Sequence, residues 1–171
     1  SAQEVIVTND ITVSTTWTAN NTYNLRNQIY VCNGATLTIQ AGTVIASDVT
    51  PNGSGSLAVC KGSKIMACGT AKDPIIMTSK ADVATWAADA SHPTGGDPKT
   101  GQLRQACAEW GNLTVMGCAY IGSCNAGNTA DPNPNNVAPM EGLVASPQNP
   151  GRVLYGGGDD CDDSGTICYV S

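Results

Sequence analysis

The residues in this chain whose type and spacing promise chemistry are its eight cysteines, and the chemistry is disulfide formation. Cys32 and Cys60 lie 28 residues apart, and Cys68 and Cys124 lie 56 apart, a whole multiple of the same step. Parallel strands in neighbouring coils run about 4.8 Å apart, inside the roughly 4.4–6.8 Å Cα separation that a disulfide tolerates. The spacing predicts a Cys32–Cys60 bridge between successive coils. Cys68 and Cys124 suit a second bridge if residues 70–110 bulge outward and add no coil of their own. Cys107, Cys118, Cys161 and Cys168 remain, and spacing selects none of their pairings. The closest cysteine pairs are too widely spaced for the tight pairs of a zinc site. Eight cysteines in one acidic, loop-rich chain point to an oxidising, extracellular location.

A second candidate is Asp159, Asp160, Asp162 and Asp163, which follow the glycines 156–158. Hard cations such as calcium favour several carboxylate and carbonyl oxygens, so these four form a candidate calcium site. The spacing departs from the twelve-residue EF-hand loop, and a solvated acidic turn is the competing reading. No other cofactor is expected. Catalysis on polysaccharides would call for grouped carboxylates, often with calcium and a basic residue. The single histidine, His92, precedes a proline in a Gly-rich insertion, and Arg26, Arg104 and Arg152 are scattered over different segments. The expectation is a protein that is not an enzyme.

The elements that must position these residues follow from a repeat. Ile29, Val31 and Leu37 recur as Leu57, Val59 and Ile65, then as Leu113, Val115 and Ile121. A period of 20–50 residues marks a solenoid whose units bury their apolar faces by stacking. Within each unit apolar residues alternate with polar ones, the period of a half-buried strand. Asn33-Gly34 and Lys61-Gly62 fall between strands at matching positions, where positive φ would turn a corner. Charged residues are 13% of a chain of 171, Phe is absent, and no long window carries helical periodicity. The pattern predicts an all-β chain, a short parallel β-helix of three to four coils with long polar loops. The net charge of -6 and pI near 4.4 argue against nucleic acid, and no apolar run reaches the length needed to insert in a membrane.

One domain is expected. Residues 1–14 read as an N-terminal strand or cap and residues 15–124 as coils one to three, with a polar insertion at 80–107. Residues 125–165 read as loop-rich, and 166–171 as the start of an incomplete last coil. The stretches 34–45 and 64–79, followed in the same order by 110–117 and 155–170, resemble the right-handed parallel β-helix repeats of secreted bacterial surface proteins of the Bacteroidetes type. That resemblance implies a secreted, cell-surface β-helix and leaves the activity unassigned. This chain departs from it in being cysteine-rich.

The sequence opens on Ser1 rather than Met, as expected of a processed product, and closes on a strand at Val170-Ser171. An uncapped solenoid presents unpaired strand edges and an apolar cross-section. The expected partner is a second copy, added head to tail into a filament. Val5, Ile6 and Val7 at one end, and Ile167, Tyr169 and Val170 at the other, are the candidate self-assembly residues. The main alternative is a monomeric adhesive or glycan-binding module using loops at 80–107 and 125–160; a polysaccharide-active enzyme stands third.

Overall fold

A computed structural model describes residues 3–50, 53–84, 86, 108–122 and 133–171. The strands wind as successive rungs around one apolar lumen. The first rung holds β1 (Gln3–Val7), the bridging residue Ile11 and β2 (Thr15–Trp17). The second holds β3 (Asn21–Leu25), β4 (Gln28–Val31) and β5 (Thr36–Ile39). In the third, β6 (Val44–Ser47) leads through the small hairpin of β7 (Val49–Thr50) and β8 (Gly53–Ser54) to β9 (Ser56–Val59) and β10 (Lys64–Cys68). The fourth begins with β11 (Ile76–Ser79) and the single-turn helix α1 (Lys80–Val83), and continues with β12 (Leu113–Val115). The short antiparallel pair β13 (Ala138–Pro139) and β14 (Leu154–Tyr155) then intervenes before β15 (Gly165–Cys168) closes the rung.

Stacked rungs form parallel walls: β1-β3-β6-β11 in one, β4-β9-β12 in the next with Ile11 paired to Val31, and β2-β5-β10-β15 in the last. The chain is a parallel β-helix. No helix among the described residues is long and apolar enough to cross a membrane.

The sequence repeat and the structural register coincide where the sequence is most regular. Ile29 pairs with Leu57, Leu37 with Ile65, Leu57 with Leu113 and Val59 with Val115. The corner between β4 and β5 has positive φ at Asn33 and Gly34, and the equivalent corner one rung later has it at Gly62. The left-handed turn lets the chain bend between walls; Gly34 and Gly62 adopt it with no Cβ penalty, and Asn33 is of a residue type that visits this region.

The repeat fails at one place. Ile121, expected one rung beyond Ile65, joins no strand; the rung beyond β10 is β15, with Gly165 beside Ile65. Main-chain satisfaction explains the substitution. Gly117 and Cys118 offer their carbonyls to the Gly156 and Asp159 amides at 2.9 and 3.0 Å. The Cys118 and Tyr120 amides donate to the Asp162 and Asp160 carboxylates at 2.8 and 3.0 Å. With those groups committed, residues 117–120 leave the wall, and a strand from the end of the sequence takes their place. Gly165–Cys168 thus completes the rung of β11 and β12, and it is residues 169–171 that start another: Val170 pairs with Ile75, and the Met77 amide donates to the Ser171 carbonyl at 2.8 Å.

Alternation along each strand divides the side chains between two cores. Ile29, Val31, Leu57, Val59, Leu37, Ile39, Ile65 and Ala67 point into the lumen. Trp17 of the first rung stacks on Tyr23 of the second within this core, ring centroids 4.6 Å apart. Leu57 lies mid-lumen, fully buried between Ile29 and Leu113. Leu57→Ala should lower unfolding free energy by about 2–5 kcal/mol, whereas Met66→Ala, on the outer face of β10, should change it by no more than about 0.5 kcal/mol; urea denaturation distinguishes the two.

Candidate functional site

The outer face of the middle wall is no solvent surface. Tyr30, Cys32, Ala58 and Cys60 alternate outward from β4, β9 and the residues just beyond them, yet all are buried, together with Met116 and Val153. Met140, Leu143, Leu154 and Tyr155 cover them from the loop-rich stretch late in the chain. A second apolar core therefore lies outside the lumen, roofed by residues 133–156. The Cys32–Cys60 bridge sits inside it, with Cα atoms 5.1 Å apart, as the spacing predicted.

The roof is pinned by a polar set at its rim. The Arg152 guanidinium lies over the Tyr30 ring, 3.9 Å from its centroid, and pairs with Asp10 Oδ2 at 3.0 Å. Asp10 Oδ1 accepts from the Tyr30 amide at 3.1 Å, so one carboxylate joins the first rung, the second rung and the roof. Arg152 Nε donates to the Val144 carbonyl at 2.9 Å, and the Val144 amide donates to the Tyr30 hydroxyl at 3.0 Å. Gln28 Oε1 accepts a hydrogen bond from the Tyr30 hydroxyl at 2.8 Å, and Gln28 Nε2 donates to the Gly142 carbonyl at 2.7 Å. These hydrogen bonds and the ion pair all run between protein groups, which suits a clamp more than a reaction centre. Burial is the main cause that pushes the Tyr30 phenol above its ordinary range. Nothing in the repeat pointed to this set, because Asp10, Tyr30 and Arg152 come from distant segments; the one available signal was an arginine inside an apolar, Pro-rich stretch.

The aspartates of the candidate calcium site are turned to separate tasks. Asp159 Oδ1 accepts from the Cys161 amide at 2.9 Å, Asp160 from Tyr120 and Asp162 from Cys118. Asp163 Oδ1 accepts from the Gly165 amide at 2.9 Å, and its Oδ2 lies 3.4 Å from Lys64 Nζ. The Gly165 hydrogen bond, aided by Lys64, holds the Asp163 carboxyl below the usual range. Among the described residues no three His, Cys, Asp or Glu side chains converge on a point that could hold a metal. The acidic run organises the turn that carries the chain from the roof into β15, its carboxylates accepting hydrogen bonds from backbone amides.

The other cysteines are dispersed. Cys68 faces Cys168 across β10 and β15, so the residue beside Cys68 comes from the last strand and not from the stretch after Ile121. Cys118 and Cys161 belong to the two segments joined by the acidic turn, and these four cysteines carry no disulfide. Cys107, Cys124 and His92 lie outside the described residues.

The predicted self-assembly residues divide by the same alternation. Val5 and Val7 pack partly buried against the lumen core, as does Val170, while Ile6 and Tyr169 face outward and are exposed. At the far end Val115 and Ile167 occupy the lumen-facing register of Val59 and Ala67, yet remain 37% and 47% exposed. Among the described residues, then, Trp17 is buried at the first rung while these two lumen-register side chains of the fourth are exposed.

Comparison with known proteins agrees with this architecture. Residues 9–89 match the model of a pectate-lyase-like beta helix domain. The match spans the first rungs, where the register is most regular, and makes the chain similar to that family in fold; a shared fold assigns no reaction. No curated protein and no solved structure matches the chain.

The clamp generates two expectations. Arg152→Ala should cost about 1–3 kcal/mol, since it strips Tyr30 of a cation and leaves Asp10 half-buried without its partner, and urea denaturation would measure it. The Tyr30 phenol is raised, so its contribution is complete below the ordinary tyrosine pKa of about 10 and is lost as pH climbs above that value toward the folded pKa. Stability of the wild type should fall more steeply from pH 10 upward than that of Tyr30→Phe; parallel curves would show that the hydroxyl is not desolvated.

Proposed function

We propose that this chain is a structural β-helix unit of an extracellular assembly, in which copies join head to tail by extending one another's walls. The observation that carries the reading is the open last rung: Val115 and Ile167 point along the lumen register and are exposed. Apolar side chains in that position gain burial only from another rung laid over them.

The strand edges agree. The Gln3 amide donates to the Asn20 carbonyl at 3.3 Å, and the Val7 carbonyl accepts from Arg26 at 3.0 Å. Main-chain direction alternates along a parallel strand, so Glu4 and Ile6 turn their amides and carbonyls away from β3. The same parity at β15, where Ser164 and Cys168 serve β10, leaves those of Gly165 and Ile167 on the outer edge. Among the described residues no strand pairs with the outer edges of β1 or β15. An edge of this kind is a template for another parallel strand, and only a head-to-tail contact presents a first rung to a last rung in parallel. Such a contact does not close on itself and propagates.

An extracellular setting is supported by the Cys32–Cys60 bridge, since structural disulfides persist chiefly in oxidising compartments. A second reading, a glycan-binding surface module, draws on the likeness of residues 9–89 to the pectate-lyase-like family. Incubation with immobilised plant and bacterial polysaccharides distinguishes it, because retention of the monomer is expected only there.

Ile6→Pro removes an amide from the outer edge of β1 and leaves the ladder to β3 intact. Sedimentation velocity of the wild type across a concentration series should show association, and Ile6→Pro should weaken it by about tenfold or more, equivalent to ~1.4 kcal/mol, with the monomer's melting curve nearly unchanged. A wild type that stays monomeric at high concentration, or an Ile6→Pro variant that associates equally well, would overturn the proposal.

A further inference from the structure

Cys68 and Cys168 close the ladder between β10 and β15 as directly opposed residues. The Gly69 amide donates to the Cys168 carbonyl at 2.9 Å, so the two strands remain paired at this point. Ile65 and Ala67 face the lumen, which turns Cys68 outward, and the register turns Cys168 to the same outer face. Neighbouring parallel strands stand about 4.8 Å apart, well within the Cα window for a disulfide.

The chain already holds one bridge built on this plan. Cys32 and Cys60 directly follow the Val31 and Val59 pair of the β4–β9 ladder, face outward from adjacent rungs, and are bonded with Cα atoms 5.1 Å apart. The wall of β10 and β15 repeats the arrangement one corner further on.

We propose that Cys68 and Cys168 are a second inter-rung disulfide site, a clasp that fastens the last strand to the rung below it. Closure is thiol–disulfide exchange with an external disulfide of the glutathione class or a disulfide-bearing protein oxidant. Cys68, the exposed sulfur, loses its proton and attacks the donor disulfide, releasing one donor thiol and forming a mixed disulfide. Cys168 then loses its proton and displaces the second donor thiol. The protein gains one S–S bond and gives up two protons and two electrons; the donor is reduced to two thiols. The neighbouring Cys68 sulfur, with burial adding to it, keeps the Cys168 thiol protonated above its ordinary range, which fits Cys168 as the second sulfur to react.

β15 has a particular need for such a clasp. It reaches β10 from far along the chain, and its docking depends on Gly165, at φ 114, where an added Cβ would collide with the Ile65 carbonyl. It is also the strand whose outer edge the proposed assembly uses, although the clasp itself does not rest on that reading.

The purified chain is treated with oxidised glutathione, its remaining thiols are alkylated, and it is digested without reduction by trypsin together with a protease that cuts before aspartate. These cuts separate Cys168 from Cys161, since Asp162 and Asp163 lie between them, and separate Cys68 from Cys60 through Lys61 and Lys64. The expected product is the peptide from 65–72 linked to that from 163–171. The bond encloses a loop of nearly a hundred residues, so oxidation should raise the melting temperature by on the order of 10 °C. Cys68→Ser, Cys168→Ser and the double variant should all lose that increment equally, and all should match the wild type before glutathione treatment, in which Cys32–Cys60 is intact. Alkylation of both residues after oxidation, or linkage of either to Cys107, Cys118, Cys124 or Cys161, would overturn the clasp. So would serine variants that still gain the full increment on oxidation.

Discussion

Each rung of this solenoid is held by the parallel main-chain ladder to the rung before it, and that ladder sets side-chain identity from layer to layer. Because register is fixed, an apolar residue in one rung must meet an apolar residue in the next: Ile29 over Leu57 over Leu113, Leu37 over Ile65. A slip of one residue would turn the lumen set out to solvent and the outer set inward. The spacing of cysteines obeys the same constraint, since Cys32 can reach Cys60 only while Val31 stays beside Val59.

Stacking alone does not account for the outer core. A wall one strand thick has two faces, and here the outer face of β4 and β9 carries Tyr30, Cys32, Ala58 and Cys60, all buried. The roof over them comes from late in the chain and is tied to the first rung through Arg152 and Asp10. Early and late segments are thereby coupled across the wall. The acidic turn at 159–163 then feeds the chain back into the lumen wall as β15, so the last rung depends on the roof being in place. A solenoid with this connectivity should unfold more as one unit than a series of independent repeats would.

Much of the wall was legible in the residues. The alternation in β4, β5, β9 and β10 and the turn signals at Asn33-Gly34 and Gly62 carry local information, and local information suffices where the next rung follows directly. The register between Cys32 and Cys60 could be read for the same reason. Ile121 misled because a spacing match says nothing about whether main-chain groups are free to pair; those around it belong to Asp160 and Asp162. Residues 1–14 read as a strand or cap; β1 and Ile11 form a rung with β2, which the sequence did not display because Ile11 contributes a single bridge too short to show a pattern. The roof was invisible as structure because its turns are rich in Pro, Asn and Gly and its contacts reach more than a hundred residues back, as from Val144 to Tyr30. The acidic run, a candidate cation site by composition, aims each carboxylate at a different backbone amide, an arrangement that composition alone does not reveal.

The stacked register is tested most directly by nuclear Overhauser contacts in the isotopically labelled chain. Through-space cross-peaks are predicted between backbone protons of Ile29 and Leu57, of Leu57 and Leu113, and of Ile65 and Gly165. Their absence, or cross-peaks joining Ile65 to Ile121 in place of Gly165, would contradict the account.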